Sequence, residues 1–301
     1  MSNVSVNNKK YRNNKNRRYN KTNRSHDINN TYKYSGNRCQ SNSSRSCPDF
    51  QRYIKYSAGL ACWRKVNRSN ETFKRFNPNY NKEELDEWEV LLIQKRYTYE
   101  YMDFVLGKYY NIKDKNTIRN KFGCMTYDEK MLILSMNFDY MWYHIWKCDN
   151  KNKCYEVAKH KFEKKYGNKR NKLVKLMANT SCGDLFWEIP KGRIEKGEGK
   201  ISAAVREFNE ETNVLKRFYK ILPDFNRKKK IIKTNMEYHM VYYMALTNGN
   251  FSISMNYNNS EQVKEVRNLK WFSYNKLMEL NPTSPVINEV KIMDSYLRKY
   301  Y

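Results

Sequence analysis

The stretch from Gly192 to Val214, GRIEKGEGKISAAVREFNEETNV, decides how this chain is read. It sets Gly192, then Glu198, then Arg206-Glu207, then Glu210-Glu211 at fixed intervals. A helix over 201–212 places Glu207, Glu210 and Glu211 at i, i+3 and i+4, so three carboxylates share one face. Like charges at that spacing destabilise a free helix. Ile201, Ala204, Val205 and Phe208 supply the same helix with an apolar side, which would leave the acidic side facing a cleft or water. A divalent cation cancels the repulsion, and hard oxygen ligands of this kind suit Mg²⁺ or Mn²⁺, which draw further ligands from substrate phosphates. The competing reading is a solvated acidic face paired with lysines. It does not account for Gly192 and Glu198, nor for the strand-like Leu185–Ile189 that runs through Pro190-Lys191 into the stretch.

With those residues in place the segment resembles the Nudix box. The family pattern is Gly, five residues, Glu, seven residues, Arg-Glu, an apolar residue, any residue, Glu-Glu, any residue, Gly and an apolar residue. Gly192, Glu198, Arg206, Glu207, Phe208, Glu210, Glu211 and Val214 match it. Asn213 stands where the family has Gly. A helix that ends in a left-handed residue takes Gly first and Asn next, so the turn is expected to persist.

Length and charge frame the rest. The 301 residues suffice for one large domain or two small ones. Seven cysteines without a Cys-x-x-Cys pair read as reduced thiols of an intracellular protein. His144, Cys148, Cys154 and His160 have the residue types of a zinc site without a common spacing, and are read as coincidence. No signal-peptide core and no membrane-length apolar run is seen, so a soluble protein is expected. The net charge of +27 is gathered in blocks: residues 1–46 carry +10, residues 151–175 carry +8 and residues 216–233 carry +7. Basic blocks interleaved with tyrosine are the electrostatic footprint of a polyanion binder, nucleic acid above all. The plainer alternative is solubility alone.

Along the chain, residues 1–48 are nearly all Asn, Lys, Arg, Ser and Tyr and read as a disordered basic arm. Residues 49–96 hold the first strands, Ser57–Trp63 and Glu89–Gln94, a hairpin-like pair. Residues 97–183 read as a helical insertion, with apolar positions such as Leu132, Met136, Trp142 and Ile145 at helical spacing. Residues 184–301 resume with the box, strands over Met236–Leu246, Phe251–Met255 and Val266–Trp271, and a last helix from about Val286 to Tyr300. The fold class is α+β. The resemblance makes it a Nudix α/β/α sandwich with a mixed sheet and an inserted helical subdomain.

The resemblance reaches beyond the box, to the mRNA-decapping Nudix enzymes of large DNA viruses, the African swine fever and poxvirus type. Leu92–Phe104, Met141–Trp146, Leu185–Gly192, Tyr219–Phe225 and Glu265–Trp271 carry it, over residues 56–301. It implies metal-assisted attack of water on the cap triphosphate bridge, releasing 7-methyl-GDP and 5′-monophosphate RNA. In that reading Glu207, Glu210 and Glu211 hold Mg²⁺ or Mn²⁺ together with Gly192 and Glu198, Arg206 orients a box carboxylate, and Glu265, rather than Glu261, is the metal ligand or base outside the box. Glu207 and Arg206 count with Glu265 as catalytic. Aromatic rings grip a methylated guanine, and related enzymes point to Tyr99 and Tyr238, with His239 in reserve. Lys164, Lys165, Lys169, Arg170 and Lys172 are the expected RNA contacts. Capped RNA is thus the expected partner, and no protein partner is implied. The location would be the host cytoplasm for a viral protein, with virion packaging a further option. Two alternatives stand beside it: a hydrolase of diphosphoinositol polyphosphates or dinucleoside polyphosphates, with dual activity open, and a non-catalytic RNA-binding protein on a decayed Nudix fold.

Overall fold

A computed structural model describes residues 53–67, 86–147, 152–233, 236–247, 251, 253–282 and 284–301. The expected basic arm, 1–48, lies outside the described residues, as do residues 68–85 between the first two strands. Residues 50–301 belong to one unit.

Two long strands open it, β1 (Tyr53–Asn67) and β2 (Asp86–Lys95), paired antiparallel with Trp63 opposite Val90. This is the expected pair, although both strands run longer. Among the described residues six helices follow: α1 (Tyr99–Val105), α2 (Lys115–Gly123), α3 (Tyr127–Ser135), α4 (Phe138–Trp146), α5 (Lys153–Tyr166) and α6 (Arg170–Met177). The chain returns through β3 (Trp187–Glu188) and β4 (Lys191–Arg193) to α7 (Lys200–Thr212), the box helix. After it come β5 (Lys220–Lys233), β6 (Met236–Leu246), α8 (Ser260–Glu265), β7 (Val266–Ser273), α9 (Tyr274–Leu280) and α10 (Ile287–Tyr300).

The strands form one mixed sheet in the order β3-β2-β1-β6-β5, with β4 on β1 and β7 on β2. β1 and β6 run parallel and the other pairs antiparallel. Alternate strand residues point to opposite faces, and each face has its own core. Leu60, Cys62, Leu91 and Ala245 pack against Ala203, Ala204 and Phe208 of α7. Ala61, Trp63, Leu92 and Met244 pack against Val290, Met293 and Leu297 of α10. Helices therefore cover both faces, the α/β/α sandwich of an α+β fold.

The inserted helices carry a third core, led by Tyr101, Phe104, Phe122, Phe138, Trp142, Phe162 and Tyr166. Side-chain caps start five of them. Thr126 and Glu129 close a capping box on α3. The buried Glu129 also accepts from Thr98 N–H at 2.6 Å and Thr98 Oγ1 at 2.7 Å, which fastens the entry of the insertion to its third helix.

Two sequence expectations change, and one strand has no expectation behind it. The apolar side of α7 is Ala203, Ala204 and Phe208, while Ile201, in the first turn of a helix that begins at Lys200, is about half exposed. Phe251 and residues 253–255 form no strand; Phe251 serves as an apolar plug against Trp271 and Phe218. The basic block 216–233 contains the fourteen-residue β5. Its lysine run hides the alternation because cations occupy both faces. Among the described residues no helix is long and apolar enough to cross a membrane.

Candidate active site

β2 delivers the first functional side chain. Its pairing with β7 slips between Gln94 and Lys95, a bulge of the kind that re-aims a side chain. The Lys95 ammonium then lies 2.9 Å from Glu211, 3.1 Å from Glu265 and 3.3 Å from Glu188. Burial draws this ammonium down, but Glu211, Glu188 and Glu265 outweigh burial and hold it protonated, well above its ordinary value.

Glu211 is buried beneath α7 rather than turned to water. Its second oxygen accepts the Lys191 backbone N–H at 2.8 Å. Burial lifts its carboxyl to about 7, against the pull of Lys95. Glu188 is treated oppositely: burial raises it, yet Lys191, at 2.8 Å, and Lys95 prevail and bring it down to about 2.

The other box carboxylates gather on Arg206. Its guanidinium reaches Glu198 at 2.9 Å, Glu207 at 2.8 Å and Glu210 at 3.0 Å, and donates to the Arg193 carbonyl at 3.0 Å. Such charge-assisted bonds fix carboxylate geometry. Arg206 holds the Glu198 carboxyl below its usual range, while burial keeps that of Glu207 above it. Glu207 faces the backbone of β4 so closely that a Cβ at Gly192 would fall inside its carboxylate. Glycine at 192 is therefore the condition for Glu207 to lie against the β4 strand. At the far end of α7, Asn213 adopts φ 63° and ψ 11°, the left-handed turn expected where the pattern has Gly.

Glu265 closes α8, and its carbonyl accepts the Arg96 N–H at 2.9 Å while Arg96 Nη1 donates to the Val263 carbonyl at 2.7 Å. Glu261 turns instead to Lys264 at 2.8 Å. The next residue, Tyr97, donates from its hydroxyl to the His144 carbonyl of α4 at 2.7 Å. Lys95, Arg96 and Tyr97, three successive residues, thus tie Glu211 of the box helix, the segment carrying Glu265 and the helical insertion together.

The donor set fits a divalent cation chemically. It consists of oxygen ligands on one helix, cradled by a glycine that a Cβ would block, with the buried Glu211 among them. Among the described residues no three His, Cys, Asp or Glu side chains converge in an arrangement able to hold a metal. Arg206 takes Glu207 and Glu210, and Lys95 takes Glu211, so the box carboxylates are divided between two cations. The zinc-type constellation includes Cys148, outside the described residues; Cys154 is exposed and His144 bonds to Tyr97.

The aromatic candidates part company. Tyr99 is half exposed, donates to Glu188 at 3.1 Å and stacks on Phe186. Tyr238 lies beside Lys55, and His239 beside Tyr56 on the opposite face of β6. The basic candidates divide as well. Lys164, Lys169 and Lys172 are exposed. Lys165 instead donates to the carbonyls of Tyr109, Tyr110 and Ile112, and Arg170 to those of Ile133, Leu134 and Met136. Those two cations are engaged with backbone carbonyls of the insertion, whereas Lys164, Lys169 and Lys172 are exposed.

Sequence reasoning passed over Lys95, Glu188 and Lys191. The available signal was a charged residue ending each apolar strand-like run beside the box.

The sandwich, the box helix and its carboxylate cluster define a Nudix protein, and residues 168–291 match the family model described as NUDIX domain. The chain belongs to the Nudix family. It is 30% identical over 227 residues to mRNA-decapping protein g5R of African swine fever virus (isolate Warthog/Namibia/Wart80/1980), covering 70% of this chain and 90% of that protein. Against g5R of isolate Pig/Kenya/KEN-50/1950 the identity is 30% over 262 residues, 81% of this chain and 98% of the relative.

Proposed function

We propose that this Nudix hydrolase cleaves the 5′ cap of RNA, releasing 7-methyl-GDP and 5′-monophosphate RNA. The observation that carries the chemistry is the convergence of Glu211 from the box and Glu265 from outside it on one ammonium, with Glu207 and Glu210 on the same helix face. The choice of a capped RNA is supported by the names of the viral relatives, which match 70% and 81% of this chain.

Mg²⁺ or Mn²⁺ held by Glu207, Glu210 and Glu211, with Glu198 and the Gly192 backbone beside them, would neutralise charge building on the bridging phosphates and acidify an attacking water. Glu265, the most exposed carboxylate on Lys95, would accept a proton from that water. Arg206 orients Glu207 and Glu210, and Lys95 restrains Glu211 and Glu265. Tyr99, half exposed at the mouth beside Glu188, offers a ring to the methylated guanine, with Tyr238 and His239 as the alternatives on β6. Lys164, Lys169 and Lys172 supply phosphate contacts from the insertion. The expected setting is the cytoplasm of an infected host.

The test incubates purified protein with cap-labelled RNA, free cap analogue and a diphosphoinositol phosphate, with and without each metal. Metal-dependent release of 7-methyl-GDP from RNA is expected, and its absence in Glu210→Gln. Turnover of only the diphosphoinositol phosphate would replace this reading with the small-substrate one.

A further inference from the structure

β5 carries four consecutive cations, Arg227, Lys228, Lys229 and Lys230, and the two faces of the sheet treat them differently. Arg227 and Lys229 turn to the α10 face, where the buried Glu289 pairs with both, at 3.2 and 2.9 Å. Lys228 and Lys230 turn to the box-helix face, opposite Val241 and His239 of β6. There, with Lys200 of α7, Tyr56 and His239, they line a cleft of about 180 Å³. Glu237 pairs with Lys230 at 2.6 Å and with His239. Among the described residues Lys200 and Lys228 have no ion-pair partner. The cleft therefore keeps a net positive charge that the fold does not use.

Its composition and place say what it would take. Lys200 opens the helix that carries Glu207 seven residues later, roughly 10 Å along its axis. Tyr56 is half exposed, and its ring lies 5.2 Å from that of His239. Cations that track a backbone beside aromatic rings that stack bases are the chemistry of single-stranded nucleic-acid binding. We propose that this cleft holds the phosphates of the RNA body a few nucleotides beyond the cleaved bridge, with a base against Tyr56. The sheet edge, and not the helical insertion alone, then carries the RNA. This inference rests on the capped-RNA reading for its substrate.

The experiment measures binding of a short single-stranded 5′-monophosphate RNA across a salt series, by fluorescence anisotropy. The triple variant Lys200→Ala, Lys228→Ala, Lys230→Ala is compared with a control of equal charge, Lys276→Ala, Lys291→Ala, Lys299→Ala. The cleft variant should bind about tenfold more weakly at moderate salt and lose about 2 from the slope of log K against log salt, while the control changes little. Lys228→Ala alone, at an unpaired exposed position, should lose about 0.7 of slope, which keeps the test available if the triple variant melts early. Crosslinking of bromouridine RNA to Tyr56 is a second expected result. A cleft variant that behaves like its control, from a wild type that decaps, would overturn the cleft alone. A wild type that binds RNA through these lysines yet releases no 7-methyl-GDP would overturn the decapping reading and leave the cleft. A wild type that binds no RNA overturns both.

Discussion

Lys95 meets three carboxylates, and each of them depends on it differently. Replacing it by Met would leave the buried Glu211 without its ion-pair partner, with Lys191 already committed to Glu188, a loss on the order of 3 kcal/mol at neutral pH. Urea unfolding of Lys95→Met should show it, and an unchanged midpoint would mean the ammonium contributes nothing net. Titration gives a second prediction. The Glu211 carboxyl, near 7 in the fold, exceeds its unfolded value of about 4.3. The folded chain then holds the extra proton between those values, so this group makes stability fall as pH rises from about 4 to 7. Glu188, at about 2, works in the other window: stability it contributes is gained as pH rises from about 2 to 4 and is lost on acidification. Melting temperature against pH should flatten in the upper window for Glu211→Gln and in the lower for Glu188→Gln. Interchanged windows would refute the assignment. Glu211→Gln should also lose hydrolysis by a hundredfold or more, because it removes a carboxylate oxygen and leaves one of the two donors, the Lys95 ammonium or the Lys191 N–H, without its acceptor.

Helix ends set the geometry at the next scale. Asn213 terminates α7 in a left-handed turn, and its side-chain oxygen accepts from Asn259, the N-cap of α8. A single residue thus ends the box helix and anchors the helix that presents Glu265. Asn213→Ala should cost about 1–2 kcal/mol, since a Cβ-bearing residue without a local hydrogen bond resists this conformation. Asn213→Gly should cost less in stability but release the Asn259 contact, so it should lower turnover more than it lowers the melting temperature. Equal effects of Ala and Gly would mean the backbone strain is absent. Arg96 acts between elements in the same way. Arg96→Ala frees the carbonyl of Val263 at the end of α8, so turnover should fall at least tenfold with substrate KM little changed. A rise in KM alone would show that Arg96 touches substrate instead.

Across the whole molecule the basic residues serve two purposes, and mutation should separate them. Neutralising Lys164, Lys169 and Lys172 should weaken RNA affinity and lower its salt slope by about 2, with the melting temperature preserved. Arg170→Ala should do the reverse: it strands three carbonyls at the end of α3, costs about 2 kcal/mol and lowers the melting temperature by several degrees. RNA affinity falling with Arg170→Ala at an unchanged melting temperature would return that residue to the RNA surface. The same division explains what could be read before any coordinates. The box, its helix, the left-handed Asn213, the β1–β2 pair and the helical insertion are local: each depends on spacing, alternation or capping within a few residues, and these are written in the chain. So were Glu207, Glu210, Glu211 and Arg206, which share one helix. Lys95 could not be read that way, because it lies 116 residues before Glu211 and joins the box only through strand pairing and a bulge; Glu188 and Lys191 stand just before Gly192, and only the pairing of β3 with β2 brings Glu188 onto Lys95. The faces of β5, the burial of Glu211, the separation of Tyr238 from His239 and the internal roles of Lys165 and Arg170 were likewise decided in three dimensions. A cation in sequence is only a charge; whether it meets a carboxylate, a carbonyl or water is set by what the sheet and the helices fold against it.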